Sequence, residues 1–397
     1  MSHKPLEGVR ILDLTRVLAG PTASMILGDL GADVIKVENP MSGDETRQWG
    51  PPFQEGESAY YFCANRNKRS IALDLKHPLS RPILKKLTLL SDVVMLNLPN
   101  RHIEKLDLSE TYFRSIKEDI IWANISGFGI QGSKKDDAGY DIMIQGLSGL
   151  MSITGEREGQ PMKLGVAIAD VLTALYTVIA VVSALFQRKD SAQGCAIDNS
   201  LLECTMASLV NVASSYLMNH QTPQRFGNEH PNIVPYQVFK AEDKYFILAV
   251  GNDQQWQKAC QVLNQTELSQ NPRFSTNQLR VAHRSELIPL LSAIFLNYQA
   301  SDLLARFSSV GIPCGLVRSL PEAFQDPYLR ERNFVHDLEH PTAGQITLMS
   351  NPIHFSHIDL DISRHPPLLG EHTKEIMTFL GYSDQEINEL ILQKVIR

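Results

Sequence analysis

Short apolar runs alternate with helical patterns through the first 125 residues, and this alternation restricts the fold more than any single residue does. Val9–Leu14 reads as a strand, Ala19-Gly20-Pro21 opens a helix that runs through Leu30, and Val34–Val37 reads as the next strand. Pro21 suits a first helical turn, where its missing N–H would have no partner anyway, and Gly31 suits the exit. Val93–Leu98 and Ile120–Ile125 are further strand candidates, with helical patterns around Arg81–Leu90 and Leu108–Ile116. Strands separated by helices are joined by crossovers rather than tight hairpins, so they pair in parallel with helices on both faces. The expected class is α/β, with a mostly parallel, doubly wound sheet.

Asp170 lies at the seam between Gly165-Val166-Ala167-Ile168-Ala169 and Val171–Phe186, sixteen residues without a charged side chain. Two readings fit a lone carboxylate there. It can cap the helix, an anion at that end being worth ~0.3–1 kcal/mol. It can also be a positioned nucleophile that forms a covalent acyl intermediate. The apolar run falls short of the roughly 20 residues that span a bilayer. It also holds Thr173, Tyr176, Thr177 and Ser183, which points to a buried helix and no membrane partner.

Beyond it, Gln187–Gly194 reads as a polar turn, Cys195–Ile197 as a short strand and Ser200–Met218 as another apolar helix. Asn219–Pro235, rich in Asn, Gln, His and Pro, has no apolar period and reads as a linker. Tyr236–Val250 reads as a hairpin turning at Glu242-Asp243-Lys244, followed by helices to about Arg306. The expected division is a first part of a large α/β domain over 1–218, a linker over 219–235, a small domain over 236–317 and a return segment over 318–397.

Hydrophobic residues make up 43% and charged residues 20%, the balance of an ordinary globular chain rather than a disordered one. The net charge of −7 argues against a nucleic-acid partner, since phosphate contacts need clustered Lys and Arg. A local basic spot at Arg66, Lys68 and Arg69 is suited to a small polyanion. Five cysteines (Cys63, Cys195, Cys204, Cys260, Cys314), odd in number and without a CxxC pair, fit reduced thiols and a cytoplasmic location, and the first residues lack a signal peptide's apolar core.

Several motifs fail on context. Gly127-Phe128-Gly129-Ile130-Gln131-Gly132 matches G-x-G-x-x-G after a strand, but the polar Ser133–Asp137 follows where the dinucleotide fingerprint requires a helix. Its glycines instead suit a tight turn or a close backbone approach. Gly146-Leu147-Ser148-Gly149 misses the nucleophile elbow by one position. The pairs His354/His357 and His336/His340 have metal-like spacing without further ligands, so no metal is expected. No P-loop occurs, which removes the usual cradle for ATP-driven ligation.

Leu12–Pro21 (Leu-Asp-Leu-Thr-Arg-Val-Leu-Ala-Gly-Pro), Gly31–Glu38 and Asn67–Asp74 resemble the class III CoA-transferases, the family of formyl-CoA transferase and carnitine CoA-transferase. The resemblance continues in order through Ala138–Asp141, Gly165–Asp170, Pro235–Phe239, Gly251–Asp253 and Pro367–Thr373. It implies a large Rossmann-like domain built from both chain ends, a smaller central α+β domain and an interlocked homodimer. Asp170 falls on the family's catalytic position, and no permanently bound cofactor is implied. The substrates implied are a coenzyme A thioester and a carboxylic acid. CoA-binding positions carried over are Arg16, Val17, Leu18, Leu73, Asn97, Leu98, Lys105 and Tyr140. Lys105 stands where many members carry Arg, and Leu96–Arg101 departs from the commoner Glu-Asn-Phe-Arg-Pro-Gly, with Arg101 as a displaced cation.

Ile233–Gln237, Asn252–Gln255, Thr276–Val281 and Glu339–Gly344 resemble the branch that moves CoA from succinyl-CoA to glutarate, and imply a dicarboxylate acceptor. Two alternatives stay open: a 2-methylacyl-CoA racemase, which shares the fold, and a CoA-binding protein without turnover. The racemase branch carries His where this chain has Tyr140. A phenol of pKa ~10 is a poor base at neutral pH.

Overall fold

Six parallel strands form the central sheet of the computed structural model, which describes residues 3–397. They are β1 (Arg10–Asp13), β2 (Asp33–Glu38), β3 (Lys68–Ala72), β4 (Val93–Leu96), β5 (Ile121–Ser126) and β6 (Ala196–Ser200). Their order across the sheet is β3-β2-β1-β4-β5-β6, and every neighbouring pair is parallel. The helices of this region longer than four residues are α1 (Ala19–Asp29), α2 (Ser80–Leu90), α3 (Asn100–Lys105), α4 (Glu110–Ile116), α5 (Asp141–Leu147), α6 (Ile168–Ser191), α7 (Leu201–Ala207) and α8 (Val210–Asn219).

Alternation along β1 builds both faces of the core. Leu12 joins Ile35, Ile71, Leu87, Val94 and Phe113, with Ile376, Met377 and Ile387 from helices near the end of the chain. Ile11 points the other way, to Leu27, Val93, Ile121, Ala174 and Val181 of the α1 and α6 side. β3 has no apolar run to announce it, yet all five of its residues are buried. Lys68 meets Asp13 and Arg69 meets Asp33, so charge pairing stands in for apolar patterning. Arg66 is likewise buried against Asp29. The basic spot expected to serve a polyanion is therefore absorbed into the interior.

α6 is longer than the uncharged run suggested. Its 24 residues are long and apolar enough, by length and composition, to cross a membrane, so length alone does not exclude a span. It is also not fully buried: Ala169, Thr173, Ala174, Thr177, Val181 and Leu185 face inward, while Leu175, Ile179 and Phe186 are exposed. The expected helix over Ser200–Met218 is two helices, α7 and α8, bent by 82° at Ser208-Leu209. Ser200 caps α7 by accepting from the Glu203 amide.

By proximity the chain falls into two units. The first takes in Met1–Leu150, Lys163–His220 and Pro327–Arg397, and the second Met151–Met162 and Gln221–Asp326, where the sequence suggested 236–317. In the second, antiparallel strands Tyr236–Lys240, Tyr245–Ala249 and Cys314–Leu316 pack on helices through Phe239, Phe246, Trp256, Phe295 and Phe307. Within the first unit the late segment rejoins the sheet: Leu73 bridges Ile396, and the Asp74 amide donates to Val395 O at 2.8 Å.

Candidate active site

The strand order reverses between β1 and β4, and in doubly wound sheets the crevice beyond the carboxyl ends at such a point is where ligands bind. The chain leaves β1 through Leu14–Leu18 and leaves β4 through Asn97-Leu98. Asn97 ties the two exits together: its Oδ1 accepts from the Arg16 amide at 2.8 Å and its Nδ2 donates to Arg16 O at 2.6 Å. Val17 then turns with φ 69°, a left-handed conformation that a β-branched residue rarely adopts.

Two adjoining cavities open here, of 310 and 640 Å³, and both are lined by Arg16, Glu45 and Leu98. Leu73 and Lys105 line the smaller, together with Lys76 and His102. Val17, Asn97, Tyr140 and Asp170 line the larger, with Trp49, Tyr60, Arg101 and Lys135. Seven of the eight residues carried over as CoA contacts thus border the crevice. Leu18 lines neither cavity; it occupies the N-cap position of α1. Lys76, His102, Trp49 and Tyr60 carried no spacing signal, and only folding brings them here. Trp49 and Tyr60 meet edge to face, ring centroids 5.1 Å apart.

Asp170 is not a cap. It is the third residue of α6, whose N-cap position is Ala167, without a side-chain bond. The capping carboxylate comes from α5: Asp141 Oδ1 accepts from the Ala169 amide at 2.9 Å, and its Oδ2 accepts from Gln145 at 2.8 Å. Asp170 instead lies where the amino ends of two helices converge, in the cavity that Ala19 of α1 also lines, with the Ala19 amide and its own nearby. Both donors favour the carboxylate, but burial first and the Asp141 charge second outweigh them and raise its pKa to about 6. The ordinary value of ~3.9 expected from the residue type does not hold. The group is still mainly ionised at pH 7, with a proton affinity above that of a free aspartate. Tyr60 is pushed up by burial and by nearby negative charge that includes Asp170 and Asp141.

The glycines of the false dinucleotide motif have a different use. A Cβ on Gly127 would lie 2.6 Å from Gly139 Cα, and one on Gly139 would lie 2.3 Å from Gly127 Cα. The two backbones touch, which brings the segment bearing Tyr140 and Asp141 against the end of β5. Ser133–Asp137 is an exposed loop and the next helix in the chain begins only at Asp141; the helix end that meets these glycines is that of α7, whose Leu202 amide donates to Gly127 O at 3.1 Å.

One pH dependence follows. Activity that needs ionised Asp170 falls as pH drops through about 6. In Asp141→Asn, loss of the neighbouring negative charge favours the ionised form, so the acid limb should move to lower pH. A pH–rate profile in which the variant's limb moved upward or stayed in place would contradict this electrostatic account.

A partly buried carboxylate in a crevice also lined by Arg16, Arg101, Lys105 and Lys135 is able to act as a nucleophile beside groups that can hold anions. The model of CoA-transferase family III matches residues 6–373. The mouse succinyl-CoA:glutarate CoA-transferase is 42% identical over 396 residues, covering 100% of this chain and 91% of that protein. The succinate–glutarate CoA-transferase of Agrobacterium fabrum is 43% identical over 382 residues, covering 95% of this chain and 96% of its own. Among solved structures, a CaiB/BaiF family protein from Brucella suis matches with TM-score 0.87 and 40% identity, over 96% of this chain and 100% of that one. Sheet order, crevice and similarity along the whole length agree: the chain belongs to family III of the CoA-transferases.

Proposed function

We propose that this CoA-transferase moves CoA from succinyl-CoA to glutarate or a similar dicarboxylate, with Asp170 as the covalent carrier. The observation that carries the reading is Asp170 itself, ionised near neutrality in the same cavity as Val17, Asn97 and Tyr140. Its carboxylate attacks the thioester carbonyl, the C–S bond breaks, and CoA leaves as thiolate, giving a mixed anhydride. The thiolate attacks the aspartyl carbonyl and releases the first acid, leaving an aspartyl-CoA thioester. The acceptor carboxylate attacks that thioester to form a second anhydride, and the thiolate takes the acceptor acyl group and restores Asp170. Each step exchanges one activated acyl group for another, so no ATP is consumed. Amide donors near the reacting carbonyl stabilise the developing oxyanion. Arg16, Val17, Leu73, Asn97, Leu98, Lys105 and Tyr140 serve as the CoA contacts, with Lys76 and His102 adding positive or polar groups to the smaller cavity.

Purified protein incubated with succinyl-CoA and glutarate should yield glutaryl-CoA by mass spectrometry, and hydroxylamine should trap label on Asp170. Oxalate, formate and carnitine-type acceptors rank specificity in the same assay. Turnover in heavy water should place no deuterium at the α-carbon of a 2-methylacyl-CoA. Rapid deuteration without CoA exchange would make the racemase the better reading.

The same reading includes a homodimer and a large CoA-binding domain with a smaller central one. Support for the dimer comes from apolar side chains that the single chain leaves uncovered: Leu175, Ile179 and Phe186 on α6, and Leu217 and Met218 on α8, at 47, 60, 70, 70 and 85% exposure. Patches of this kind mark association surfaces. Sedimentation should give twice the chain mass, and Ile179→Glu with Leu217→Glu should shift the species to monomer. A wild-type monomer at micromolar concentration would remove the dimer from the proposal.

A further inference from the structure

The elbow between β1 and α1 is held by side chains from elsewhere, one peptide group at a time. The Thr15 amide donates to Asp13 Oδ1 at 2.9 Å, and Thr15 O accepts from Lys36 Nζ at 2.9 Å. Asn97 takes both polar groups of Arg16. The Val17 amide reaches both oxygens of Asp44, at 3.2 and 3.3 Å. Lys36 and Asp44 are themselves paired at 2.9 Å, each side chain with 0% exposure. Asp44 is completed by the Thr46 amide at 3.0 Å and hydroxyl at 2.8 Å. One pair therefore grips the peptide groups on both sides of Arg16 and spans the left-handed Val17.

Stability alone is a poor reason for such a pair. Removing two charges from water is costly, and well-packed apolar residues commonly do as well or better. What the pair secures is a direction. α1 begins two residues after Val17, and Ala19 at its start lines the same cavity as Asp170, near enough for its amide to favour that carboxylate's charged form. Lys68 holds the same turn from below, donating to Pro21 O at 2.9 Å and to Asp13 at 3.2 Å.

We propose that Lys36 and Asp44 are positioning residues for CoA transfer: by holding Val17 left-handed, they aim the first amide of α1 at the Asp170 carboxylate. The proposal rests on the reading of Asp170 as the reacting group, and its test separates the two ideas. Glycine adopts positive φ without a side-chain penalty, so Val17→Gly should free the elbow from its dependence on the pair.

The experiment compares Asp44→Asn and Lys36→Met, each alone and combined with Val17→Gly. Asp170 titration is read from the stability difference between each protein and its own Asp170→Asn counterpart across about pH 4.5 to 8, which needs no turnover. The charged and titratable groups around Asp170, Asp141 and Tyr60, stay the same throughout. With the amide donor misdirected, Asp44→Asn should move the Asp170 midpoint up by about 1 pH unit, roughly the effect of one backbone donor on a carboxylate. Its kcat at pH 7 should fall about tenfold or more, with KM for acyl-CoA changing less than about threefold, the pattern of misplacement rather than lost binding. Adding Val17→Gly should recover most of the midpoint shift, a readout that does not depend on the CoA contact Val17 makes. An unchanged midpoint in folded Asp44→Asn, or no recovery with Val17→Gly, overturns the positioning role. If Asp44→Asn fails to fold, the Val17→Gly combination is expected to fold, and its failure also counts against the proposal. A shifted midpoint with unchanged kcat keeps the clamp and removes Asp170 from the chemistry.

Discussion

Asp170→Asn is expected to lose CoA transfer by roughly 10³-fold or more while melting at a higher temperature than the wild type at pH 7.5. On the proposed route the kinetic loss follows from removing the carboxylate that forms the anhydride, and loss of a nucleophile is among the largest single effects in enzymes. The gain in stability follows from the direction of the pKa shift. The folded-state value, about 6, lies above the ordinary 3.8, so the fold favours the protonated form. That favourable contribution is complete below the unfolded-state pKa and is lost as pH rises through about 6. At pH 7.5 the wild type therefore carries a half-buried charge next to Asp141, and an uncharged amide of the same shape relieves it. A helix cap would behave in the opposite way, its removal lowering stability by ~0.5–2 kcal/mol. Kinetics with differential scanning calorimetry on one variant thus test both the role and the electrostatics. Retained turnover would sink the covalent route, and a lowered melting temperature would sink the account of the shift.

Gly139→Ala should damage both the fold and the activity. The new methyl would stand 2.3 Å from Gly127 Cα, which is backbone, so no side chain can swing aside. The two segments must part, and with them moves Asp141, whose carboxylate caps the helix bearing Asp170. A drop of about 100-fold or more in kcat/KM and a stability loss of about 3 kcal/mol are expected, at the upper end of overpacking effects. Gly315→Ala has nothing within 4 Å of the added atom and serves as the comparison. Chemical denaturation and steady-state kinetics on the pair decide the matter; equal behaviour would mean the Gly127–Gly139 approach is dispensable.

What the sequence made legible was whatever depends on period and order. Val9–Leu14, Val34–Val37, Val93–Leu98 and Ile120–Ile125 all became strands within a few residues of their expected bounds, because aliphatic runs buried on both faces need no partner to announce them. β3 was invisible because Lys68 and Arg69 satisfy burial through Asp13 and Asp33, partners 55 and 36 positions away in the chain. The break between α7 and α8 was hidden for a related reason: Ser208 and Leu209 are ordinary helix residues, with no Gly or Pro to mark the bend. Within the site, Asp170 stood out as a lone charge in an apolar stretch. Asp141 did not, although it caps the same helix, since its partner amide is 28 residues away. Its effect on Asp170 is a property of distance in space, which no local pattern encodes.

The union of Leu73 with Ile396, and of Asp74 with Val395, also has a temporal side. Leu73 and Asp74 are walls of the smaller cavity, and residues made long after the sheet strands hold them in place. A nascent chain that has already completed β1 through β6 still lacks that brace. That wall of the cavity is therefore completed after the sheet that frames it, only once Val395 and Ile396 have emerged and docked.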